Sequence, residues 1–152
     1  MAAHYIRLFE HVWWADERIL EALNLKKTNG KPEKALKLFA HVLAAERVWL
    51  FRLKGEDSSG LPIWPELGLE DGGAWIKENR DGYSAFLSGL KDEDLGKTVT
   101  YTNSSGTTFN PAIGDILTHV AMHGAYHRGQ VSMTMRMEGY EPVNTDFITF
   151  VR

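Results

Sequence analysis

Apolar residues recur at intervals of three and four over four long segments of the chain, the spacing that gathers them on one face of an α-helix. Pro32 and Pro111 open the second and fourth segments, whereas Gly72, Gly73 and Gly82 lie inside the third, although glycine disfavours helix interiors. The predicted helices run from Ala2 to Leu25, from Pro32 to about Lys54, from Leu69 or Glu70 to about Leu90, and from Pro111 to about Met137. Four long helices with one apolar face each predict an all-α fold, a four-helix bundle.

The pattern changes to β-branched and aromatic residues just before the fourth helix. Lys97–Tyr101 and Thr107–Phe109 flank turn residues at 103–106, which predicts a small β-hairpin before the last long helix. Asn110 is the predicted N-cap of that helix. A short terminal helix is expected within Asn144–Arg152.

Two connections carry signals of their own. The stretch from Lys26 to Gly30 offers cations and then a glycine, and it is expected to end the first helix. The loop from Glu56 to Gly68 is long enough to form a lid or a partner surface. It contains Trp64, which would be an unusual residue to leave in water.

Length and composition favour a single soluble domain covering residues 1–152. The net charge is −3 with both signs mixed along the chain, which argues against nucleic acid or a membrane as partner. No apolar run approaches the ~18 residues of a membrane span. With no cysteine, the chain has no disulfide, thiolate ligand or cysteine nucleophile. We expect a cytoplasmic protein with a small-molecule substrate, and a substrate must bring any thiol that reacts.

The candidate chemistry lies in the fourth helix, where His119, His123 and His127 follow one another at intervals of four. Residues four apart lie ~6 Å apart along a helix, so two imidazoles can converge on one metal ion. His119 and His127 are ~12 Å apart, too far to share an ion held by bonds of ~2 Å. Against the apolar face, His123 and His127 point toward the core and His119 toward its edge. His123 and His127 are therefore the natural pair to bind one metal ion. The alternative is that these histidines are hydrogen-bonded and bind no metal.

A third ligand has to come from another helix, because bundles build metal sites from facing helices. His41 and Glu46 on the second helix and His11 and Asp16 on the first are candidates, whereas His4 is near a terminus expected to fray. Glu46 lies among apolar residues, where an unpaired carboxylate is costly, so a metal or an arginine beside it is expected. Periodicity alone does not choose between these candidates.

The chain resembles the DinB/YfiT superfamily of metal-binding four-helix bundles nearly from end to end. The residues that carry the resemblance are the motif His119-Val120-x-x-His123-x-x-Tyr126-His127-Arg128-Gly129-Gln130, His41 followed by Glu46, Trp49 and Arg52-Leu53, the hairpin, and the tail Asp146-Phe147-Ile148. The resemblance implies a divalent metal ion held by His41, His123 and His127. Zinc or nickel is expected first, although imidazole ligands do not identify the ion. Asp16 stands where family members commonly have asparagine, and a charge-paired or solvated aspartate is expected there.

Three neutral imidazole ligands would not reduce the charge of the metal ion, and they would leave at least one coordination position open. This is the arrangement of a catalytic site. Such a metal lowers the pKa of a bound thiol or water. Resemblance to relatives that transfer low-molecular-weight thiols such as bacillithiol or mycothiol suggests a thiol S-transferase. The alternatives are a metal-dependent hydrolase, against which the lack of an evident general base argues, and a non-catalytic metal- or ligand-binding stress-response protein. A fourth protein ligand such as Glu46 or Asp16 would favour the non-catalytic role.

Other polar residues of the motif have two interpretations each. His119 is either a proton shuttle behind the metal ligands or an ordinary hydrogen-bonded imidazole. Tyr126 and Gln130 could line the same pocket, but packing roles are favoured. Arg128 points away from His123 and predicts a salt bridge, with Glu46 or with a neighbouring subunit.

The tryptophans and methionines are expected to pack rather than to bind ligands. The tryptophans favour the core or a subunit interface over an aromatic substrate pocket; they are Trp13, Trp14, Trp49, Trp64 and Trp75. The methionines of the fourth helix favour packing over metal ligation; they are Met122, Met133, Met135 and Met137. Together with the resemblance, these residues predict a homodimer.

Overall fold

The computed structural model describes residues 1–25 and 30–152, so the predicted end of the first helix falls largely outside the described residues. The structure confirms a mostly helical fold with a small hairpin before the last long helix. Its helices are α1 Ala2–Asn24, α2 Glu33–Leu53, α3 Leu69–Ser88, α4 Ile113–Met137 and the short α5 Phe147–Phe150. A 3-10 turn spans Asp92–Gly96, and the hairpin pairs β1 Tyr101–Thr102 with β2 Thr108–Phe109. No helix among the described residues is long and apolar enough to cross a membrane.

Helix α4 starts later than predicted, because the hairpin continues through its expected first turn. The backbone N–H of Val99 donates to the carbonyl of Pro111 at 2.9 Å, and Ile113 donates to Lys97 at 2.9 Å. Asn110 accepts a hydrogen bond from Thr100 Oγ1 at 2.6 Å instead of capping the helix. Ala112 is the N-cap, so the predicted cap at Asn110 is wrong. Pairing between strands has overridden the local helix-start signal.

Two apolar clusters fill the bundle, one toward each end. α2 packs most extensively on α4, and α1 on α3. The first cluster is centred on Ile19, Phe39, Leu43, Ile76, Val131 and Met135. The second is centred on Phe9, Leu50, Tyr83, Ile116, Leu117 and Val120. Along every long helix, a stretch of chain separates the residues of one cluster from those of the other.

A layer of buried polar side chains lies between the two clusters, with one member from each long helix. Its members, which we call the polar layer, are Asp16, Glu46, Asn79 and Arg128. Arg128 Nη1 donates to Asp16 Oδ1 at 2.9 Å, and Asn79 Nδ2 donates to Glu46 Oε2 at 3.1 Å. The predicted salt bridge of Arg128 therefore forms, with Asp16 rather than Glu46 as the carboxylate, and the prediction of a charge-paired Asp16 is confirmed.

Only part of the packing prediction for tryptophan and methionine is confirmed. Met135 is fully buried, but Met122, Met133 and Met137 are 67%, 64% and 78% exposed, so the prediction that they pack is wrong within this chain. Trp13 and Trp14 are half-buried on α1 beside Phe9 and Phe150 respectively, and Trp75 packs against the first cluster. Trp49 packs against the second cluster and also contacts His119, whereas Trp64 lies against His41.

Candidate metal centre

The structure brings together His41 of α2 with His123 and His127 of α4. Each offers a ring nitrogen, and these atoms all lie within 4.8 Å of one another. The ring centroids are 5.2 Å apart for His41 and His123, 4.7 Å for His41 and His127, and 4.4 Å for His123 and His127. This histidine cluster could hold a metal ion, since three imidazole nitrogens at such distances converge with little movement.

His41 is fixed from behind by the loop that follows α2. Its Nδ1 lies 2.8 Å from the carbonyl oxygen of Ile63. A carbonyl only accepts, so Nδ1 carries the proton and the lone pair of Nε2 is free for a metal. The ring of Trp64 stacks on the imidazole at a centroid distance of 3.8 Å and an angle of 8°. The loop therefore sets both the tautomer and the plane of His41, as partners of metal-bound histidines do.

His127 is held in the same manner by its own helix. Its Nδ1 lies 2.6 Å from Oε1 of Gln130, one turn further along α4, so Nδ1 donates and Nε2 is left free. The amide of Gln130 in turn donates to the hydroxyl of Tyr126 at 3.4 Å. The favoured packing role for Gln130 is therefore wrong, because this side chain orients a histidine of the cluster. Tyr126 is 65% exposed and supports Gln130.

His123 lies between the other rings and has no hydrogen-bonding partner of this kind among the described residues. Burial, helped by the neighbouring His127, His41 and His119, lowers the pKa of His123 to about 4. Burial also lowers the pKa of His41. Both rings are thus neutral at physiological pH, which is the state that binds a metal ion.

His119 lies beside the cluster without joining it. Its ring is 5.4 Å from that of His123 and 5.1 Å from that of Trp49, and its side chain is open to solvent. Burial of part of the ring lowers the pKa of His119. This position, one turn from a candidate ligand and in contact with water, fits the proton-shuttle interpretation.

The other candidate ligands serve different purposes in the structure. Asp16 and Glu46 belong to the polar layer, and neither joins the histidine cluster. His11 is buried against the C-terminal segment, where its Nε2 lies 2.7 Å from the carbonyl oxygen of Thr145. In the part of the chain that the structure describes, the cluster therefore has three protein ligands and no carboxylate. A metal ion held by these three residues would keep a coordination position free, and imidazole ligands suit a divalent ion of borderline softness.

Sequence reasoning missed the contributions of Ile63, Trp64 and Trp49. The backbone carbonyl of Ile63 leaves no signal in a sequence, because any residue could supply it. Trp64 is a large aromatic residue in a loop, which is a signal that the sequence does offer. Its partner His41 lies 23 positions earlier in the chain, so the sequence does not show which residue Trp64 contacts. The prediction of a core role is wrong for Trp64, which is 52% exposed and covers a ring of the cluster.

Comparison with known proteins gives one consistent result. The sequence model of the DinB family matches residues 1–152. The chain is 25% identical to Protein DinB of Bacillus subtilis (strain 168) over 162 aligned positions, covering 97% of this chain and 93% of that protein. Its fold is similar to the crystal structure of a DinB-like protein from Bacillus cereus ATCC 10987, with a TM-score of 0.59, 15% identity, and coverage of 90% and 94% of the two chains.

Proposed function

Since this chain belongs to the DinB family, and since His41, His123 and His127 converge in its structure, we propose that it is a divalent-metal-dependent enzyme that activates a thiol or water. The observation that carries the proposal is the form of the cluster. His41 and His127 each donate from Nδ1 and so turn Nε2 toward the cluster, and no carboxylate of the described residues completes the set. A structural metal site is closed by four protein ligands, whereas three leave a position for a reactant.

A divalent metal bound by these histidines would lower the pKa of a thiol or water beside it. Residues around the cluster would orient the imidazoles, shield them from water and transfer a proton. Ile63 and Gln130 hold two of the imidazoles in the correct tautomer, and Trp64 shields one face of His41 from water. His119 is placed to pass a proton between the site and solvent. Zinc or nickel is the ion we expect.

Among reactions, we favour transfer of a low-molecular-weight thiol to an electrophile. Hydrolysis needs a base to take a proton from water, and no aspartate or glutamate of the described chain joins the histidine cluster. A thiol needs less help, because its pKa is already near 8.5 before a metal lowers it. A metal-dependent hydrolase and a non-catalytic stress-response protein that only binds metal are the other two candidates.

The first test is the metal content of the purified protein, followed by titration of a cobalt- or nickel-substituted form with a small thiol. We expect about one metal ion per chain and a new thiolate-to-metal absorption band. Thiol-dependent loss of an electrophile would then establish the transferase. A stoichiometric metal without the band would favour the hydrolase or the binding protein. Failure to load any divalent metal would refute the site.

We also propose that the protein is a cytoplasmic homodimer. Met122, Tyr126, Met133 and Met137 are all exposed and fall within about 60° of one another around α4, which makes a continuous apolar stripe. A second copy of the chain would cover it. Light scattering of the wild type should give twice the monomer mass, and Met133→Glu should give the monomer, with Lys91→Glu on a distant surface as control. A wild-type monomer at micromolar concentration would refute the dimer.

A further inference from the structure

Arg52 lies on the same face of α2 as His41, three helical turns further along. The separation is ~16 Å along the helix axis and about 20° around it. Side chains of a helix lean toward its N-terminus, and the guanidinium of Arg52 does so: its central carbon is 4.5 Å from the ring centroid of Trp49. Arg52 therefore reaches back along the surface that carries the histidine cluster.

A continuous row of ring contacts connects this guanidinium to the cluster. Trp49 touches His119 at a centroid distance of 5.1 Å, and His119 touches His123 at 5.4 Å. The guanidinium carbon thus lies within about 15 Å of the His123 ring, in line with the helical spacing. A small molecule with one end at the cluster can reach Arg52 with the other.

Arg52 is held in place by neighbours that leave its charge uncompensated. Its Nε donates to Ser58 Oγ at 3.3 Å, and its guanidinium carbon is 4.1 Å from the ring centroid of Tyr101. It takes part in none of the ion pairs of the described chain, and residues 26–29 contain no acid. Arg47, on the same helix as Arg52, lies by contrast over Trp75 of α3 and is paired with Glu78 at 3.2 Å.

An arginine fixed by aromatic rings and lacking a carboxylate keeps its two Nη groups free for a planar anion. The charge available is a single positive one, since nearby Lys54 is paired with Glu56. One guanidinium matches a carboxylate in charge and in geometry, whereas a phosphate dianion usually collects several cations. Tyr101 contacts Arg52 from the hairpin and Ser58 contacts it from the loop after α2, so two connections meet at this side chain.

We propose that Arg52 binds a carboxylate of the substrate while the reacting group of the same molecule lies at His41, His123 and His127. This inference rests on the proposed function and names its substrate class: a thiol, or another metal-directed group, with a carboxylate roughly 10–15 Å away. Arg52 is a positioning residue in this arrangement. It selects long carboxylate-bearing molecules over neutral or short ones.

The test compares matched thiols on the cobalt-substituted protein, with the thiolate-to-metal band as readout. ω-Mercapto fatty acids of increasing length are titrated beside the corresponding ω-mercapto alcohols. We expect acid and alcohol to bind alike when short, and the acid to bind about tenfold more tightly once its length spans the two sites. Arg52→Gln should abolish that preference without loss of metal, and Arg47→Gln should keep it.

Equal affinity of acid and alcohol at every length, with the band present, would overturn the proposal for Arg52 and leave the metal site standing. If no thiol gives a band, the thiol chemistry fails and a second readout decides Arg52. The side-chain Nε resonance of Arg52, assigned from its loss in Arg52→Gln, should shift when the metal-loaded protein is titrated with octanoate but not with octanol. No shift with octanoate would also overturn the proposal.

Discussion

The polar layer contains two buried carboxyl groups, Asp16 and Glu46, whose protonation states can be tested. Asp16 Oδ2 and Glu46 Oε1 are both buried, and no donor of the described chain reaches either atom. The two side chains nevertheless lie within hydrogen-bonding range of each other. Two carboxylates can share a hydrogen bond only if one of them carries a proton. Arg128 neutralises Asp16, so the proton belongs to Glu46.

The electrostatics agree with this assignment. Burial, reinforced by the negative charge of Asp16, raises the pKa of Glu46 well above its ordinary value of 4.5. Burial raises the pKa of Asp16 as well, but there the guanidinium of Arg128 opposes the shift. The layer as a whole then holds one negative and one positive charge, an arrangement that a bundle core tolerates.

Glu46→Gln should therefore be nearly neutral at pH 5, within about 1 kcal/mol of the wild type, because the amide can still accept from Asn79 and donate to Asp16. Asp16→Asn should cost about 3–5 kcal/mol, since it leaves Arg128, which is 1% exposed, as an unpaired buried charge. The two substitutions remove the same chemical group, and only their positions relative to the guanidinium differ.

The pH dependence separates the two states of Glu46 further. A carboxyl group whose pKa is raised on folding binds its proton more tightly in the folded state. The wild type therefore loses stability as pH rises above 4.5, by up to about 1.4 kcal/mol per pH unit, until the folded-state pKa is passed. Glu46→Gln lacks this loss. Its stability relative to the wild type should rise from pH 5 to pH 8.

The assay is urea denaturation at several pH values, followed by circular dichroism, with EDTA present so that bound metal adds nothing to stability. Subtracting each variant from the wild type at the same pH removes the contribution of the histidines, which both proteins share. If Glu46→Gln costs as much as Asp16→Asn, or if its difference from the wild type does not change with pH, then Glu46 is not the protonated member and the reasoning is refuted.

Two further predictions concern the histidine cluster. His123→Ala should abolish stoichiometric metal binding, while His119→Ala should retain most of it; equal losses in equilibrium dialysis would mean that the wrong histidines have been paired. Gln130→Met removes the acceptor for His127 Nδ1 but keeps the length of the side chain, and should weaken metal affinity about tenfold in a chelator competition. An unchanged affinity there would show that Gln130 does not orient the ring.

Local patterns predicted the helices because apolar spacing and burial are set within a few turns. The same patterns paired His123 with His127, which are neighbours on one helix. They failed at Asn110, because residues there form hydrogen bonds with partners ten to sixteen positions earlier in the chain instead of starting the helix. Choosing His41 over Glu46 needed the family resemblance, since both lie on inward faces of α2 and only the packing of α2 on α4 distinguishes them.

The order of residues in the fourth helix connects the polar layer with the histidine cluster. His127 and Arg128 are consecutive, so their side chains leave α4 about 100° apart. Arg128 is anchored to Asp16 of α1 inside the bundle, and this anchor fixes the rotation of α4 about its own axis. His123 and His127 can face His41 of α2 only at that rotation. The buried ion pair therefore orients the candidate metal ligands without contacting them. This role accounts for a charged pair in the core despite the free energy that its desolvation costs.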